Sequence, residues 1–192
     1  MMQAGEVDLS VMGRPPKEIA TRAESFAAHP LVFVCPPGHR LLDIGKPPVS
    51  AMEGYAFIVR EHGSGTRAAM ESFFAERRFE PRITMEMSSN ETIKQAVMAG
   101  MGLSFLSLHT IGLEVRSGLL SVLDVEATPL MRTWNVVHLQ SKLLSPAAEA
   151  FAYFIIERGE AHLLAHDAPL LTKCPAQAIN RRPGPFSLPP AA

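Results

Sequence analysis

Five consecutive apolar, β-favouring residues, Leu31 to Cys35, stand between Pro30 and the breaker Pro36-Pro37-Gly38. A strand with no polar alternation is covered on both faces, so it demands a layer of structure on either side. Tyr55 to Val59 repeats that character, and the proline-interrupted stretch Gly45 to Val49 between the two reads as a crossing between lobes. Val7, Leu9 and Val11 alternate up to Met12 and are stopped by Gly13, Pro15 and Pro16, a short strand running into a loop. The chain thus opens almost inside a strand, which is expected to need neighbours that would normally precede it.

Helical spacing supplies the covering layers. Met70, Phe73, Phe74 and Arg77 predict a helix from about Thr66 to Arg78, ended by Pro81. Ile83, Met85 and Met87 alternate as a strand, and Ser88 and Glu91 then have the spacing of a capping box, with a helix to about Ala99 closed by Gly100. Further strands are expected at Leu103 to Leu108, Leu120 to Val125 and Trp134 to Leu139, with a short helix near His109 to Arg116. Ser145-Pro146 starts a last helix that reaches Arg158 or beyond. Strands alternating with helices predict an α/β fold with mostly parallel or mixed sheets. Residues 166–192 read as a disordered tail, since Cys174 to Ala192 has five prolines between Pro175 and Pro190 and no periodicity.

With 47% hydrophobic and 19% charged residues, the 192-residue chain can bury a real core. Its net charge of −1 leaves no cationic surplus for neutralising a duplex backbone. Cys35 and Cys174 stand far apart without metal-ligand neighbours, the first residues lack a cationic stretch leading into an apolar one, and no apolar run is long enough for a membrane span. A soluble, cytoplasmic protein without a cofactor is expected.

Two places suit an anion. Ser88-Ser89-Asn90 sits at the mouth of a helix, where unpaired N–H groups and the dipole favour negative charge; a plain helix cap satisfies the same spacing. The loop Arg60 to Arg67 flanks Gly63-Ser64-Gly65-Thr66 with two arginines; it has no P-loop lysine, and a helix-starting turn with solvated arginines is the commoner explanation of such a stretch. His162 and His166, four apart, are a two-histidine face without a third ligand at diagnostic spacing, so no metal site is expected. No nucleophile elbow, zinc-protease motif or catalytic cysteine context occurs, and the chain is not expected to be an enzyme.

Several stretches in order resemble one family: Gly5 to Ser10; Leu31 to Pro36 with Gly38-His39; Phe57 to Glu61 leading into Gly63 to Arg67; and SSNETIKQAVMAGMG from Ser88 to Gly102. Together they are similar to the effector domain of LysR-type transcriptional regulators over roughly residues 3 to 160. Within it, Met131 to Val137 and Lys142 to Phe151 resemble the regulators of Calvin-cycle (RuBisCO) operons. The resemblance implies a periplasmic-binding-protein-like (type 2) pair of α/β lobes with a small effector in the cleft. It implies a partial first lobe at residues 1–36, a complete second lobe at 37–133, a return strand and helix at 134–165, and no winged helix-turn-helix in this chain. It puts Ser88 where the family often sets a hydroxyl on the ligand, and Gly13 with Arg14 on a loop facing the cleft. The implied partners are a phosphorylated sugar, phosphoenolpyruvate or a nicotinamide nucleotide, further copies of the chain, and promoter DNA reached only through a separate N-terminal domain. A solute-binding protein of the same fold is the rival reading. A small α/β enzyme would need a convergent acid, base or nucleophile that these motifs do not supply.

Overall fold

The computed structural model describes residues 2, 5–16 and 18–171, with backbone alone from 166 onward. The His166 side chain, Cys174 and the rest of the proline-rich stretch lie outside the described residues. The elements follow as β1 (Ser10–Met12), β2 (Thr21–Cys35), β3 (Ala56–Arg60), α1 (Gly65–Glu76), β4 (Arg82–Met87), α2 (Asn90–Met98), β5 (Ser104–Ser107), α3 (Gly112–Arg116), β6 (Ser121–Leu123), β7 (Leu130–Leu139) and α4 (Pro146–Leu171).

β2 is the spine. Its first half pairs antiparallel with β7 along Thr21 to Leu31, and β1 adds to the outer edge of β7. Its second half pairs antiparallel with β5 on one side and β6 on the other. Here the apolar run is covered on both faces, as its lack of alternation requires. Leu31, Phe33 and Cys35 face Phe73 and Phe74 of α1, while Val32 and Val34 face Ile93 and Val97 of α2. A parallel pair, β3–β4, completes a mixed α/β arrangement in which the ladder around β2 is antiparallel.

Three local expectations need correction. Residues 45–49 do not cross between lobes: they join two 3-10 turns that fold Leu41, Val49 and Met52 into the α1-side core. The crossing is made by β2 and β7, which run side by side from the β1 end to the helix-covered end. β1 is shorter than its alternation suggested, starting only at Ser10, and Asp8 ahead of it forms an ion pair with Lys142 at 2.7 Å. The strand around Leu31 extends back to Thr21, since β7 offers its polar first half a ladder that local composition did not signal. The helix after Pro146 runs to Leu171.

Two glycines set the turn from α2 into β5. Gly100, at φ +77°, adopts the left-handed conformation that ends α2. Gly102 lets two backbones meet: Leu103 N–H donates to the Ala56 carbonyl at 2.8 Å, and Ile58 N–H to the Leu103 carbonyl at 2.9 Å. A Cβ on Gly102 would lie 2.7 Å from the Ala56 oxygen, which cannot retreat without losing this pairing. Gly102→Ala is therefore expected to lower unfolding free energy by about 1–3 kcal/mol, read from the urea midpoint. An unchanged midpoint would mean that the backbones do not approach this closely.

Candidate functional site

Where β2 and β7 cross, four chain segments converge on a cleft of about 250 Å³. Gly13 and Arg14 reach it from the end of β1, His29 and Leu31 from β2, and Arg132 and Trp134 from β7. Arg60 ends β3 at its rim, and Ser64, Gly65 and Thr66 bring the start of α1. Asn135 holds the β1 arm in place: its amide donates to the Met12 and Thr133 carbonyls, and its oxygen accepts from Ser25 at 2.7 Å. Gly13 is the residue that fits here, because a Cβ would stand 3.0 Å from His29 Nδ1.

The lining carries charge of one sign, that of Arg60 being shared with the adjacent Glu61. Three arginines and no carboxylate line the cleft among the described residues, although the chain as a whole carries −1. Arg60 is fixed in place by both oxygens of Glu61, at 2.7 and 2.8 Å, and donates to Asn90 Oδ1 at 2.8 Å. This hydrogen bonding holds the Glu61 carboxyl below its ordinary range. The first turn of α1 opens onto the same space, and the Ser64 side chain makes no capping bond to it. Unpaired N–H groups at a helix start carry partial positive charge, so this end adds to the arginines.

His29 forms the floor. Its ring lies flat on Trp134, centroids 3.8 Å apart, with His109 stacked beyond at 6.2 Å and donating from Nε2 to the Ala28 carbonyl. Burial, then the neighbouring His109 and Arg132, pushes the His29 pKa down to about 4.

Of the residues singled out from sequence, Gly13, Arg14, Arg60, Ser64 and Thr66 line the cleft. Asn90 meets it through Arg60. Arg67 turns away: it is buried, donates to the Arg60 carbonyl, and is paired with Glu71 and Glu86. Ser88 and Ser89 lie outside the lining, and the capping box is replaced by a simpler cap, in which Ser89 Oγ accepts from Thr92 N–H and Glu91 pairs with Lys94. Ser89→Ala is expected to cost about 1 kcal/mol of stability, and Ser88→Ala much less, in parallel thermal melts. Equal losses would return the cap to Ser88.

Residues 1–160 match the family model described as the LysR substrate binding domain. The chain belongs to the LysR substrate-binding domain family. It is 47% identical over 157 residues to the HTH-type transcriptional regulator CfxR of Cupriavidus necator, covering 82% of this chain and 50% of that protein. It is 46% identical over 156 residues to the RuBisCO operon transcriptional regulator of Allochromatium vinosum, covering 81% and 52%. Among solved structures, the Synechocystis CcmR regulatory domain in complex with 2-PG superposes with a TM-score of 0.77 at 38% identity, over 81% of this chain and 75% of that one. The chain spans about half the length of the curated relatives it matches.

His29, Arg132 and Trp134 of this LysR-family chain escaped the sequence reading. Arg132 and Trp134 alternate within β7, but that they share a cleft with His29 depends on the pairing of β7 with β2, where His29 stands opposite Arg132. The signals available were small: a lone tryptophan, and a histidine just ahead of an apolar strand.

Proposed function

We propose that the cleft is the effector site of a cytoplasmic transcription regulator, in which a small anionic metabolite controls carbon-fixation genes. The observation that carries this reading is the lining itself: Arg14, Arg60 and Arg132 with the start of α1 and no carboxylate among the described residues. The relatives named as regulators, one of them of a RuBisCO operon, support the regulatory role, and the 2-PG complex of CcmR supports the anion. A volume of about 250 Å³ lies just below the usual range for ligand sites, about 300–1,000 Å³. It favours a phosphorylated sugar or a compound of phosphoenolpyruvate size over a nicotinamide nucleotide. Gly13, Arg14, Arg60, Ser64 and Thr66 make the binding set, with Arg67 and Asn90 bracing Arg60.

In this reading the lobe at 37–133 closes on the segments before and after it when the anion bridges them. The ligand favours one lobe orientation only by binding it more tightly than the other. Promoter contact then falls to a helix-turn-helix of the kind in the relatives' names, within a homo-oligomer. The test is a thermal melt with 2-PG, phosphoenolpyruvate and phosphorylated sugars. A ligand at 100 times its Kd adds about 2.7 kcal/mol to stability and raises the midpoint. Arg60→Gln is expected to weaken the active compound at least tenfold while leaving the unliganded midpoint within a few degrees. No rise with any of these anions, in a chain that melts cooperatively, would contradict the reading.

A further inference from the structure

We propose that His29 is the uncharged polar contact of the effector, its imidazole meeting one oxygen of a compact oxyanion whose charge lies against the arginines. This rests on the cleft being the effector site. His29 is 6% exposed, yet neither ring nitrogen has a hydrogen-bond partner among the described residues. Buried polar atoms are paired as a rule, and one left unpaired is costly. The ring is nonetheless held firmly, stacked on Trp134, and it lines the cleft alongside Arg60 and Arg132. An imidazole so placed keeps one donor and one acceptor when neutral, and burial keeps it neutral at physiological pH.

The division of labour follows from charge. Guanidinium groups and the α1 N-terminus answer the negative charge of the ligand, whereas a neutral ring discriminates by hydrogen bonding alone. The ligand class is therefore a small oxyanion bearing a second oxygen function that reaches the cleft floor. A polar contact of this kind rejects analogues lacking the matching oxygen, because the ring would again be left unpaired.

The experiment is calorimetric titration of the wild-type chain, His29→Phe, His29→Gln and Arg60→Gln with 2-PG, with ring 15N resonances of His29 followed in the wild type. Phenylalanine keeps the stacking on Trp134 and removes both nitrogens. We expect His29→Phe to bind 2-PG at least tenfold more weakly, His29→Gln to recover part of that loss, and the His29 ring signals to shift on saturation. The wild-type measurement stands even if a variant does not fold. Saturation of the wild type with the ring signals unmoved, or equal affinity in His29→Phe, overturns the role of His29. If Arg60→Gln still weakens 2-PG in that case, the cleft reading survives it. A wild-type chain with no affinity for 2-PG, phosphoenolpyruvate or phosphorylated sugars overturns the proposal together with the reading beneath it.

Discussion

Between pH 6.5 and pH 4, protonation of His29 is expected to cost the folded chain stability. The ring takes up a proton near pH 6.5 when unfolded but only at about pH 4 when folded. Across that window the unfolded chain binds more protons, so stability falls as pH falls. A gap of this size corresponds to a penalty of roughly 3 kcal/mol, complete below the folded value and absent above pH 6.5. His29→Phe removes the titration while keeping the aromatic stack. Urea unfolding at pH 7 and pH 4.5 is expected to show a much steeper acid loss in the wild type than in the variant. Identical losses would mean that His29 is already paired or solvated in the folded chain.

Phe33→Ala carries the other large effect. Phe33 is fully buried at the centre of the α1-side core, with the rings of Phe57, Phe73, Phe74 and Phe105 at centroid distances from 4.7 to 6.4 Å. Removing it takes away a large transfer term and leaves a cavity bounded by four rings on three elements, β3, α1 and β5, that cannot all move inward. A loss of about 3–5 kcal/mol is expected, against a total stability that rarely exceeds about 15 kcal/mol for a domain. Phe151→Ala provides the contrast. That side chain is 56% exposed on α4, and its loss is expected to shift the urea midpoint little. A Phe33→Ala chain within 1 kcal/mol of wild type would mean that the core collapses around the gap or is not packed as described.

The sequence was most legible where chemistry is local. The apolar run at Leu31 to Cys35 announced its two covered faces, and Ser64 to Thr66 announced a helix start beside an arginine. Tandem serines blurred the start of α2 by one residue, because either hydroxyl can cap and only the turn of the backbone decides for Ser89. Arg67 has the composition of an anion ligand, but its environment is set by Glu71 one turn on and by Glu86 on the neighbouring strand. The floor of the cleft was not legible at all. Bringing His29 to Trp134 needs the register of two strands about a hundred residues apart, and a β-bulge between Ser25 and Ala27 shifts that register on the way.

In the proposed function a small anion binds where β1, β2, β7 and the start of α1 meet. The most direct measurement is a two-dimensional 1H–15N spectrum of the labelled chain titrated with 2-PG. Shifts are expected to concentrate on the amides of Gly13, Arg14, Gly65 and Thr66 and on the Trp134 indole N–H, with the Ser88 and Ser89 amides moving less. Shifts centred instead on the start of α2 or along α4, or no saturable shift at all, would contradict it.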